Sequence, residues 1–111
     1  MPKQDVLNDV EQLVLVAVAR LGEAAYGISI RREIEETAGR RLSTAATYDA
    51  LERLETRGLL VYELSSPTPR RGGRRKKIYR VTARGAEAAR AARDGLRRLW
   101  DGVDLSTRRS A

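Results

Sequence analysis

Cysteine and histidine are both absent from the 111 residues. No disulfide can form, no thiol or imidazole can serve as nucleophile or base, and no Cys/His metal site can be built. A metal would have to rest on carboxylates alone, and none of the acids shows calcium-loop spacing. Phenylalanine is also missing and there is one Trp, so a core must be assembled from Leu, Val, Ile and Ala. Long apolar runs are missing as well. The longest, Leu13 to Ala19, has seven residues, against the roughly 20 that cross a bilayer. The opening Met-Pro-Lys-Gln-Asp has no apolar signal segment. These absences predict a cytoplasmic binding protein with no cofactor or metal and no membrane attachment, and they argue against an enzyme.

What is present is an uneven charge. A chain of this length is expected to form one domain, at about 100–200 residues per domain. Lys and Arg number 22 against 15 Asp and Glu, a net charge of +7. From Ser65 to Arg80 there are seven cations and no acid, while the other 95 residues carry 15 of each sign. The whole excess therefore sits in one segment, which suits a polyanionic partner.

Hydrophobic spacing organises the chain around that segment. Asn8 and Glu11 have capping-box spacing, and Val10, Leu13, Val14, Ala17, Val18 and Leu21 follow a helical period up to Gly22. A second helix is predicted from Tyr26 to Ala38, with Ile30, Ile34 and Ala38 facing inward and Gly39 as its stop. Ser43 can cap a third helix whose Ala50, Leu51 and Leu54 face inward before Gly58. The period then changes. Leu60 to Leu64 and Lys77 to Val81 are β-rich runs around a loop containing Pro67, Pro69, Gly72 and Gly73, which predicts a hairpin. Thr82 can cap a last helix running to Val103, in which Ala89, Ala92, Leu96, Leu99 and Val103 form a seam at coiled-coil spacing. The expected fold is mainly α with a two-stranded β-wing. Residues 1–82 would form a winged helix-turn-helix, 83–103 a C-terminal dimerisation helix and 104–111 a free tail.

Three stretches carry a resemblance. Ser43 to Leu59 resembles the recognition-helix signature of the PadR family of bacterial transcriptional regulators, approximately Ser-x-Gly-Ala-x-Tyr-x-x-Leu-x-Arg-Leu-Glu-x-x-Gly-Leu. Gly72 to Gly85 is similar to the family's wing, Gly-Arg-x-x-Lys-x-Tyr-x-Leu-Thr-x-x-Gly, and Tyr26-Gly27-Ile28 matches the start of its second helix. Ala45 stands where Gly is usual, and Ile78 replaces a common aromatic. The resemblance spans about residues 8 to 100 and fits the short form with one C-terminal helix. It implies a homodimeric, sequence-specific DNA-binding regulator, with repression as the expected effect.

Candidate sites follow, each with a plainer reading beside it. Arg74, Arg75, Lys76 and Lys77 on the wing are expected to neutralise phosphates of double-stranded DNA; the plainer reading is a solvated charge run. Ser43, Thr44, Thr47 and Tyr48 are expected to point outward from the third helix toward the major groove. Alternatively, Ser43 only caps the helix, and Thr47 and Tyr48 pack on the second. Arg53 either pairs with Asp49 or touches phosphate. Tyr26 either brings the second helix's N-terminus to a phosphate or packs there. Ala89, Ala92, Leu96, Leu99, Trp100 and Val103 form the expected dimer interface, and the site would be an inverted repeat. By resemblance, Trp100 could stack a small aromatic effector; as a plain tryptophan it would pack in the interface. The competing function is a non-specific architectural module binding DNA or RNA through the wing alone.

Overall fold

The first helix starts as its capping residues dictate. The Asn8 side chain accepts the Glu11 N–H at 2.8 Å, and the Glu11 carboxylate accepts the Asn8 N–H at 2.9 Å, which satisfies two otherwise orphaned donors. The computed structural model describes residues 5–66 and 75–106. Helix α1 covers Asp9–Leu21, followed by a short 3-10 turn at Gly22–Ala24, α2 at Gly27–Ala38 and α3 at Thr44–Thr56. Strands β1 (Leu60–Leu64) and β2 (Lys77–Val81) precede α4 (Ala83–Trp100).

Helix α1 lies at the centre, packed against α2, α3, α4 and β2. Its Val14, Leu15 and Val18 meet Ile30 and Ile34 of α2 and Leu51 and Leu54 of α3, all of them buried. Each large aliphatic side chain removed from water contributes about 1.5–3 kcal/mol. Ala38, expected on the inner face of α2, is exposed, because α2 has run past the core by its last turn. The turn into α3 is held at both ends. Gly39 adopts φ +69°, a left-handed conformation that an L side chain resists, and Arg31 Nε donates to the Leu42 carbonyl at 2.7 Å. Ser43 then caps α3, accepting the Ala46 N–H at 3.0 Å.

The hairpin is antiparallel, with Tyr62 opposite Tyr79 and Leu64 opposite Lys77. On its other side, the Tyr79 N–H donates to the Ala25 carbonyl at 2.8 Å, so β2 is bonded to the segment that leads into α2. The sheet face carrying Leu60 and Tyr79 turns inward, and both residues are buried.

Helix α4 begins tight against the residues that lead into β1. Thr82 Oγ1 accepts the Gly85 N–H at 2.9 Å and donates to the Gly58 carbonyl at 2.8 Å. A Cβ on Gly85 would overlap the Leu59 carbonyl oxygen, so this approach needs a residue without a side chain. The helix ends at Trp100 instead of continuing to Val103. Asp101 leaves the helical region and Gly102 takes φ +78°, so the apolar spacing outlasts the helix by one turn. Of the expected tail, residues 104–106 are described, with the Ser106 N–H donating to Asp104 Oδ1 at 2.9 Å. Residues 107–111 and Arg74 lie outside the described residues.

Candidate nucleic-acid interface

Helix α3 packs against β1 of the hairpin, and the protein's four tyrosines lie on or beside these elements. The Tyr62 and Tyr79 rings are 5.8 Å apart at a 54° tilt, a favourable aromatic arrangement. Tyr48, at the first turns of α3, lies across Gly27, the residue after Tyr26. Burial pushes the Tyr79 phenol above its ordinary range, and the charge of Glu55 adds to the shift.

The basic residues at the base of the wing are aimed by these rings. Lys76 Nζ stands 4.0 Å from the Tyr26 ring centroid, and Lys77 Nζ 4.3 Å from that of Tyr62. Each ring face attracts the cation, and backbone bonds fix the strand end. Ser65 N–H donates to the Lys76 carbonyl at 2.8 Å, and the Lys76 N–H donates to Ser65 Oγ at 2.9 Å. Arg75, Lys76 and Lys77 are all exposed. Arg80 pairs with Glu63 across the hairpin at 3.4 Å, an exposed contact of small energetic consequence.

On α3 the structure separates the expected site residues. Ser43 and Thr44 are exposed, with Ser43 acting as the cap. Tyr48 is 45% exposed, so it both packs on α2 and presents a face to solvent. Thr47 does not point outward. It is fully buried, because it shares the inner stripe with Ala50, Leu51 and Leu54, and its hydroxyl donates to the Ser43 carbonyl at 2.9 Å. Arg53 does not pair with Asp49. Its Nε donates to Glu11 at 3.0 Å, because that buried carboxylate requires a cation.

Glu11 is the centre of a network that the sequence did not reveal. It is 4% exposed and also accepts from Arg57 at 3.2 Å. Burial would raise its carboxyl above the ordinary range. The Asn8 N–H, the Arg53 hydrogen bond and the two nearby guanidinium charges outweigh that, and the net shift is downward. Arg57 reaches on to the Val6 carbonyl at 2.8 Å, and Asp5 receives both arms of Arg84 at 2.8 and 3.0 Å. This chain of contacts locks α3 and α4 to the start of α1. Among the described residues, no group of acids could hold a metal ion, and no single helix is long and apolar enough to cross a membrane.

A family model described as the transcriptional regulator PadR-like family matches residues 14–91. The chain belongs to this family. Solved PadR-family regulators share its architecture. One from Clostridium difficile R20291 is 25% identical with a TM-score of 0.68, covering 85% of this chain and 93% of that one. Another from Eggerthella lenta is 29% identical at a TM-score of 0.68, covering 87% and 84%. A transcriptional regulator from Clostridium thermocellum, at 19% identity, shares the fold with a TM-score of 0.71 over 89% of this chain and 93% of that one. No curated protein matches the chain. PadR membership makes this a DNA-binding regulator of transcription with a winged-helix fold, and its neighbours are regulators, not enzymes.

The α4 seam divides in two. Ala89 and Ala92 are partly buried against the chain's own core. Leu96, Leu99, Trp100 and Val103 are 54%, 75%, 51% and 48% exposed.

Proposed function

We propose that this PadR-family chain acts as a homodimeric repressor that binds an inverted-repeat DNA site through α3 and the basic wing. The observation that carries the reading is the outer half of α4. Its first half is anchored by Gly85 and Ala88, while Leu96, Leu99 and Trp100, with Val103 just past the helix end, leave an apolar strip in water. A second copy laid on the same strip in a two-fold arrangement would cover it on both protomers. Two reading helices then engage two half-sites, and the dimer represses by occupying the promoter. Arg74, Arg75, Lys76 and Lys77 supply phosphate contacts, with Ser43, Thr44 and Tyr48 at the groove. Trp100, half-exposed at the end of this strip, would pack in that interface, and stacking of a planar aromatic effector on it is the additional role proposed for it.

The test combines light scattering with selection from random-sequence duplexes. The expected result is a dimeric mass and an enriched inverted repeat with half-site centres about 34–36 Å apart. A monomer that binds all duplexes equally would overturn the reading in favour of a non-specific architectural protein.

A further inference from the structure

The outermost charges of α3 have the wrong sign for phosphate. Thr47, Ala50, Leu51 and Leu54 define its buried stripe. At 3.6 residues per turn the opposite side carries Ala45, Asp49 and Glu52, and all three are exposed. Tyr48 lies to one side of this line, across Gly27. The sole cation of the helix, Arg53, lies on the other side and is drawn back to Glu11. Asp49 is thus the charged group that α3 presents farthest from its own core within its first two turns. Ala45, one turn before it, leaves room for a close approach.

We propose that Asp49 is a base-reading residue that accepts a hydrogen bond from the N4 amino group of a cytosine in the major groove. The proposal rests on the reading of α3 as the groove-entering helix. A carboxylate is acceptor-only, so it repels the guanine N7 and O6 and the thymine O4, which are acceptors themselves. Two amino groups remain as donors. The adenine amino group sits beside the N7 acceptor, which faces the same carboxylate, whereas the cytosine amino group has a C–H as neighbour. Cytosine is therefore the base whose own edge meets Asp49 without a competing acceptor. The same charge acts against wrong sites, since an unmatched buried carboxylate is costly. The wing cations hold the duplex whatever its sequence, so α3 can forgo positive charge and discriminate.

The experiment is selection from a library of random-sequence duplexes with three full-length chains: the parent, Asp49→Asn and Glu52→Gln. Both variants remove one negative charge from the same face, so a general electrostatic effect changes them alike. Asn pairs with the adenine N6 and N7. The parent should enrich a cytosine at one position of each half-site. With Asp49→Asn that position should change to adenine, reversing a preference of about fivefold or more, while the other positions stay as they were. Glu52→Gln should tighten binding to all duplexes and leave every position unchanged. An Asp49→Asn consensus identical to the parent's, or the same positional change in Glu52→Gln, would overturn the assignment of Asp49 alone. A parent that enriches no consensus would overturn the regulator reading itself. Matching unfolding curves for Asp49→Asn and the parent establish that the exposed substitution leaves the fold intact.

Discussion

Tyr48 lies across the bare Cα of Gly27, in the space a Cβ would occupy. This is why the Tyr26-Gly27-Ile28 start of α2 and the Tyr of α3 belong to one device. The glycine admits the phenol ring, and the ring fixes how α3 sits on α2. Because the overlapping atoms are the far end of a side chain, Gly27→Ala should displace the ring without unfolding the domain. The expected cost is about 1 kcal/mol by urea unfolding, together with a roughly tenfold loss of affinity for the selected site. In a Tyr48→Ala background the same change should be neutral or stabilising, since Ala exceeds Gly by about 1 kcal/mol in a helix. A double-mutant cycle reads the coupling directly. Purely additive effects would show that the two residues act separately.

The wing should be read through salt. Lys76 and Lys77 rest on the Tyr26 and Tyr62 rings, which aim both cations before any duplex arrives. Each phosphate contact contributes about −0.9 to the slope of log affinity against log salt. Lys76→Ala with Lys77→Ala should therefore flatten the slope and weaken all sequences alike. Tyr26→Phe keeps the ring and should leave binding near the parental value. Tyr26→Leu removes a contact worth about 0.5–1 kcal/mol and should lower affinity two- to fivefold without altering sequence preference. An equal loss in both Tyr26 variants would place the hydroxyl, not the ring face, at the contact.

Local chemistry made much of this architecture legible. The β-rich runs Leu60 to Leu64 and Lys77 to Val81 are strands with those ends. Asn8, Ser43 and Thr82 cap their helices as their side chains suggest. What escaped depends on distance along the chain. Arg53 finds Glu11 42 positions away, a partner that no helical spacing points to. Thr47 resembles a surface residue by type, but it continues the Ala50, Leu51 and Leu54 stripe by one turn, which the spacing could have shown. Gly27 and Gly85 fit motif positions, yet their reasons are the Tyr48 ring and the Leu59 carbonyl. Asp49 and Glu52 give no cationic signal for a polyanion, since the side of α3 facing away from the core carries acids.

Acid should loosen the domain at Glu11. Its folded carboxyl titrates below the ordinary 4.5, so the unfolded chain takes up a proton first as pH falls. The stabilisation is complete above about pH 4.5 and disappears as pH drops through the lowered folded value. Glu11→Gln keeps an acceptor but loses the charge facing Arg53 and Arg57, and should cost about 1–3 kcal/mol at neutral pH. Thermal unfolding across an acid series should show the parent and the variant converging at low pH. Parallel curves would mean that Glu11 does not carry the acid sensitivity.

The outer half of α4 is the last point at issue. Leu96 and Leu99 are 54% and 75% exposed, so neither supports the fold of a single chain to any great extent. Ala88 is buried, with Ala89 and Ala92 packed beside it on the core, and these would hold α4 in place without a partner. Leu96→Glu with Leu99→Glu would set four carboxylates in a two-fold interface, where like charges taken from water repel strongly. Dimerisation should weaken by at least 100-fold in sedimentation, while the monomer keeps its helical signal. Binding to the selected inverted repeat should fall steeply, because one α3 then reads one half-site, yet weak salt-sensitive binding through the wing should persist. The exposed positions make this a separable test: folding and dimerisation should part company. A variant that stays dimeric would place the interface elsewhere, and one that is monomeric yet binds as tightly as the parent would remove the need for two reading helices.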